Sequence, residues 1–224
     1  EIFGGNRGDL IVDDRDFARR RFPNFRTIRK YKMVVWVKDH FATVPYFAEE
    51  SRNLEAYLHA GGKLVMIGSN IMQSFMDDSY YLIAPCEPCI TYPAKFSSSG
   101  WNWFMNEILH VNFGYIGDLI GNFNSAEGIN QYSGLVLNPD TSKIADIWPN
   151  YNKLSNVDVV IEPGGFTVPI LKLNSDDNYV DQKACGVRYY GSGFDVIYIG
   201  APIWHMEAED AKLLGEKILE DMDF

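Results

Sequence analysis

Two stretches of this 224-residue chain carry residue types that do chemistry. The first is His205-Met206-Glu207, which follows the apolar run "VIYIG" and leads into an amphipathic segment. An imidazole with a carboxylate to orient it is a general base near neutral pH. A structural reading accounts for the same residues. A histidine closing a strand can donate to a backbone carbonyl, and Glu207, with Glu209 and Asp210, would sit where anions favour a helix N-terminus. The second stretch is a pair of strand ends. Asp13 and Asp14 close "GDLIVDD", and Asp39 and His40 close "YKMVVWVKDH". Carboxylates and an imidazole at the carboxyl ends of strands lie where α/β sheets hold ligands, and they suit a small ligand or a divalent metal. They are equally ordinary polar loop residues, and no metal is assigned to them.

The remaining chemical signals are weaker. Cys86 and Cys89 form "CEPC", but the following "ITYPAKFSSSG" reads as an extended loop rather than the helix N-terminus that lowers a thiol pKa. Plain thiols, a local disulfide, or metal or redox work all remain open for that pair. Zinc lacks a second C-x-x-C. "NSDDNYVDQ" has oxygen donors but neither the glycine nor the terminal glutamate of an EF-hand loop. Trp101, Phe104, Ile108 and Leu109 fit a buried helical stripe, although the same aromatics could stack on sugars. Arg7-Gly8-Asp9 is a short and weak adhesion signal. No Walker A or G-x-G-x-x-G segment is present, so neither a nucleotide nor any other cofactor is expected.

Bulk properties narrow the classes. A formal net charge of −10 disfavours general nucleic-acid binding, and no apolar run reaches the length of a membrane helix. The basic strip from Asp14 to Lys32, which includes "ARRRF", could meet an anionic partner, lie on the protein's own acidic surface, or simply be solvated. A first residue other than methionine, with no signal peptide, suggests a mature product or a fragment of something longer.

These residues need elements to position them. "YKMVVWVKD" and "KLVMIG" are continuous apolar runs expected of strands covered on both faces. Between them, Phe47, Leu54, Tyr57 and Leu58 mark a helix, with Pro45 near its start and Gly61-Gly62 at its end. Strand, helix and strand with short links imply a parallel crossover unit. "ACGVRYY" and "FDVIYIG", joined by "GSG", read as a hairpin, and Ala211, Leu214, Ile218 and Met222 mark a terminal helix. The expectation is one α/β domain over residues 1–224, with a mostly parallel sheet between helices and an α+β insertion at about 79–181.

Taken in order, "YKMVVWV", "LEAYLHAGGKLVMIG", "FMNEILHVNFGYIGD", "GLVLNP" and "GVRYYGSGFDVIYIGAPIWHME" resemble the class I glutamine amidotransferase-like fold, a flavodoxin-like arrangement. The nearer resemblance is to the amidotransferase-like modules of large secreted bacterial proteins. It implies a sharp turn after "KLVMIG", where Gly68 matches the first glycine and Asn70 falls where the nucleophilic cysteine would be. Met72 replaces the second glycine. His205 and Glu207 match the other two triad positions. With asparagine at the nucleophile position, the resemblance implies a non-catalytic module of a secreted or surface protein. Its role would be structural or the recognition of a glycan or protein, beside other domains of a larger parent chain. Two alternatives are a serine hydrolase or amidase using Ser69, His205 and Glu207, and a ligand- or metal-binding domain at the Asp13, Asp39 and His40 edge.

Overall fold

The computed structural model describes residues 24–38, 51–69, 71–72, 94–97, 104–116, 123–147, 154, 157–176, 178 and 180–224. Asp13, Asp14, Asp39, His40, Asn70, Cys86, Cys89 and the Arg7-Gly8-Asp9 triplet lie outside the described residues, as do Pro45, Phe47, Trp101 and the first half of the basic strip.

The strands run β1 Met33–Lys38, β2 Lys63–Gly68, β3 Ala94–Ser97, β4 Val111–Ile116, β5 Phe123–Gly128, β6 Val136–Leu137, β7 Val159–Pro163, β8 Thr167–Ser175, β9 Ala184–Tyr190 and β10 Asp195–Ile199. Helices α1 Phe25–Ile28, α2 Ser51–His59, α3 Thr141–Ile147 and α4 Ala208–Asp221 accompany them, with a π-helical turn at Phe104–Ile108 and 3-10 turns at Asn130–Tyr132 and Ile203–His205.

The described strands form one sheet in the order β1-β2-β10-β9-β7-β4-β3, and β8 branches from β9 to carry β5 and β6. This corrects the expected mostly parallel, flavodoxin-like sandwich. Only β1–β2 and β2–β10 are parallel. Strand pairs β9–β10, β8–β9, β7–β9, β5–β8, β5–β6, β4–β7 and β3–β4 are antiparallel. The physical reason lies in the connections. Gly191–Phe194 between β9 and β10 is too short for a crossover and can only reverse the chain, while β7 and β8, joined by Gly164–Phe166, both run antiparallel to β9. Apolar continuity shows that a strand is covered on both faces; it does not show the direction of its neighbours.

Strand β2 sits at the centre of the parallel triplet. Leu64 and Met66 face one core with Leu54, Tyr57, Leu58 and Tyr198, while Val65 and Ile67 face the other with Ile197, Ile199, Leu214 and Ile218. Each fully buried aliphatic side chain of this kind contributes about 1.5–3 kcal/mol. Helix α2 ends in a double-glycine cap. Gly61 takes φ +83, its N–H reaches Leu58 O at 2.8 Å, and the Gly62 N–H reaches Tyr57 O at 3.1 Å. That pair of bonds is a Schellman motif. A Cβ on Gly62 would come within 2.4 Å of the Tyr57 ring, so the cap also sets how closely the helix meets β2. Helix α4 buries Ala211, Leu214 and Ile218 on one side and carries Glu209 and Asp210 in its first turn.

Candidate functional site at the carboxyl edge of the parallel strands

The ends of β1 and β2 are clasped together. Gly68 has φ +149, and a Cβ there would lie 1.8 Å from Lys38 O, so only glycine fits. The next N–H, from Ser69, donates to Lys38 O at 2.9 Å. Ser69 is fully buried, and its hydroxyl makes no hydrogen bond among the described residues, His205 included.

The turn that follows is anchored by a residue just ahead of β7. Asp158 is completely buried. Its Oδ2 accepts the Met72 N–H at 3.0 Å and the Tyr198 hydroxyl at 2.5 Å, and the Ile71 N–H also bonds to this carboxylate. Its own N–H donates to Gly200 O at 2.8 Å, which ties it to the end of β10. A Cβ on Gly200 would approach Asp158 O to 2.5 Å, so the glycine permits this contact. Asp158 Oδ1 accepts no hydrogen bond among the described residues.

Electrostatics follow from that burial. Desolvation pushes the Asp158 carboxyl up to about 6, opposed by the Tyr198 and Met72 hydrogen bonds and by the Lys38 charge. Lys38 is lowered to about 8 by desolvation, with Asp158 pulling it back. The Tyr198 hydroxyl is driven far above its ordinary value by burial and by the neighbouring carboxylate. On β9, burial pushes the Cys185 thiol up to about 12, which makes it an inert core thiol rather than a nucleophile.

His205 is held by other elements. Its carbonyl accepts the Asp140 N–H at 2.8 Å, and the Glu207 N–H donates to Asn138 O at 2.9 Å. Between them, Met206 bridges Pro139, and Lys143 of α3 donates to Met206 O at 2.9 Å. His205 is buried, and desolvation, then the Lys143 charge, lowers its pKa. Glu207, by contrast, is exposed and caps α4 without a side-chain bond to the helix. Of the residues singled out by sequence, Gly68 and Ser69 therefore share the β2 turn, while His205 and Glu207 belong to a segment stitched to Asn138–Asp140.

The strongest polar anchor of this edge, Asp158, is one the sequence reading passed over, along with Lys38 and Tyr198. A signal for it exists. Asp158 stands between Val157 and Val159 in "NVDVVIEP", and an acid inside an apolar run needs a buried partner. No cluster of three or more His, Cys, Asp or Glu that could hold a metal occurs among the described residues. Asn174 and Asp181 of the oxygen-rich loop bond to protein groups: Asn174 to Ser125 and Glu127, and Asp181 to the Ser175 N–H.

No family model matches the sequence, and no curated protein does. The solved structures it resembles include Gan42B, a GH42 beta-galactosidase, at 15% identity and a TM-score of 0.48, covering 90% of this chain and 22% of that chain. A beta-galactosidase from Bacillus circulans sp. alkalophilus gives 15% identity and a TM-score of 0.46, covering 87% of this chain and 23% of that one. The beta-galactosidase of the haloarchaeon Halorubrum lacusprofundi gives 14% and 0.43, with 88% and 23% covered. The chain thus spans less than a quarter of the length of these proteins. The mixed sheet corrects the amidotransferase resemblance drawn from sequence, which implied a mostly parallel, flavodoxin-like arrangement.

Proposed function

We propose that this chain is a non-catalytic recognition module, working beside other domains of a larger protein by presenting a surface to a partner. The observation that carries this reading is the turn after β2. A nucleophile at such a turn needs an exposed side chain, a bonded base, and free backbone N–H groups to receive an oxyanion. Here Ser69 is fully buried with no hydrogen bond to His205. The N–H groups of Ile71 and Met72 are directed at Asp158. Glu207, the carboxylate that would orient the base, is exposed to solvent. Among the described residues no helix is long and apolar enough to cross a membrane, and the net charge of −10 keeps nucleic acid an unfavourable partner.

A fluorophosphonate probe followed by peptide mass mapping tests the proposal. The expected result is no adduct at Ser69. An adduct there that disappears in His205→Ala would replace the recognition reading with a serine hydrolase.

A further inference from the structure

The turn between β7 and β8 and the end of β9 expose two aromatic rings at one place. Phe166 is 74% exposed and Tyr190 is 42% exposed. The Tyr190 N–H donates to Phe166 O at 2.9 Å, so the two residues face each other across the strand edge. Both carry costs that a structural role does not repay. Phe166 holds φ +68, a left-handed conformation that disfavours bulky side chains, in a turn where Gly164 and Gly165 precede it. An exposed aromatic ring also forgoes the hydrophobic stabilisation of burial.

Tyr190 is also held in place. The Arg188 guanidinium lies 4.5 Å from its ring centroid, and the Gln131 amide donates to its hydroxyl. Arg188 itself is fixed in the core by Asp221 and Asp195, each at 3.0 Å. A ring clamped by a buried cation and at its hydroxyl is pre-organised, which lowers the entropy lost when a ligand stacks on it.

The frame around the rings selects the ligand. Its exposed side chains are Asn130, Gln131 and Ser192, amides and a hydroxyl, and the half-buried Lys217 donates to Gln131 O at 3.4 Å. The carboxylates of this region are Asp221, only 12% exposed and bound to Arg188 and Tyr132, and Asp195, which lies across from Tyr190 on β10, is 31% exposed and is bound to Arg188. With Asp195 and Asp221 offset by Arg188 and Lys217, an aromatic pair framed by amide and hydroxyl groups fits a neutral, hydroxyl-rich molecule better than a charged peptide. We propose that Phe166 and Tyr190 form a platform for a neutral oligosaccharide, whose ring faces lie on the aromatic rings and whose hydroxyls bond to the Asn130 and Gln131 amides. This rests on the recognition-module reading and names the ligand class and the site.

Calorimetric titration with neutral hexasaccharides of glucose, galactose, mannose and xylose tests it, with an oligogalacturonate as the charged control. At least one neutral sugar saturates, and Phe166→Ala and Tyr190→Ala each weaken it about tenfold, the effect expected for losing one stacking ring. Phe166→Gly, which suits the left-handed backbone, weakens binding equally while leaving the thermal midpoint undiminished. The platform is overturned if none of the four sugars binds, if neither ring substitution matters, or if the acidic sugar binds best. It is also overturned if concentration-dependent self-association is lost in Phe166→Ala, because the occupant would then be a second copy. Labelling of Ser69 with sugar binding intact would sink the non-catalytic reading alone; a silent Ser69 without sugar binding would sink the platform alone.

Discussion

At the amino ends of β2 and β10, Arg188 divides its guanidinium between Asp221 and Asp195, both at 3.0 Å, and donates to Tyr189 O at 2.5 Å. Tyr132 adds a hydroxyl to Asp221 at 3.1 Å, and Lys63 reaches Met222 O. At the carboxyl ends of the same strands, Asp158 gathers its described donors on one oxygen and leaves the other without a hydrogen bond among the described residues. The first cluster balances charge with several partners and fastens the end of α4 to the sheet. The second is a sparse, deeply buried anchor in which desolvation outweighs the available hydrogen bonds and pushes the carboxyl up to about 6. Both are structural on this account. The difference lies in charge compensation, and so in which end of the sheet responds to pH.

Substitution at the saturated end has the largest expected effect. Arg188→Ala leaves Asp221 and Asp195 without their buried partner and is expected to destabilise by about 3–5 kcal/mol in urea unfolding. At the sparse end, Asp158→Ala orphans the Met72 N–H and the Tyr198 hydroxyl and is expected to lose about 2–4 kcal/mol. Asp158→Asn keeps an acceptor and drops the buried charge, so its loss is smaller. A loss in Asp158→Asn equal to that in Asp158→Ala would mean that the charge, and not the hydrogen bonding, holds the turn.

The pH dependence separates the two ends further. The folded pKa of Asp158, about 6, lies above its ordinary 3.8, so the folded state binds the proton more tightly. The associated stability is present below about 4 and is lost as pH rises through about 6, amounting to roughly 3 kcal/mol at most. Lys38 is depressed from 10.5 to about 8, so its favourable contribution is present above 10.5 and is lost as pH falls toward 8. Urea unfolding at successive pH values checks both signs. The acid limb should flatten in Asp158→Asn, and an unchanged limb would place the titrating group elsewhere.

How much of this was legible in the sequence depended on the range of the interaction. Helix α2 and its glycine cap were readable because the apolar spacing of Leu54, Tyr57 and Leu58 and the backbone freedom of Gly61 are local properties. The terminal helix was readable for the same reason, from Ala211, Leu214 and Ile218. Sheet direction was not. The valine-rich run before Pro163 reads alike in a parallel or an antiparallel neighbourhood. The segment "WNWFMNEILHV" gave a π-helical turn at Phe104–Ile108 and then entered β4 at Val111, so the helical spacing of Phe104 and Ile108 marked only its first part.

At the candidate site, Gly68 and Ser69 were singled out through the amidotransferase resemblance, and the structure places them where β2 ends against β1. Asp158 was missed because its partners, Met72 and Tyr198, are 86 and 40 residues away along the chain. His205 and Glu207 are neighbours in sequence, yet one is buried and the other exposed.

Asp158 holds the turn after β2 shut. Native-state hydrogen exchange at the Ile71 and Met72 amides, in the wild type and in Asp158→Asn and Asp158→Ala, reads it most directly. In the wild type both amides are expected to exchange only through opening as rare as that of the β2 core, and in Asp158→Ala protection drops first at these two positions. Rapid exchange at Met72 in the wild type, or protection unchanged in Asp158→Ala, would contradict it. Those N–H groups would then be available to a ligand, and the turn would again be a candidate catalytic site.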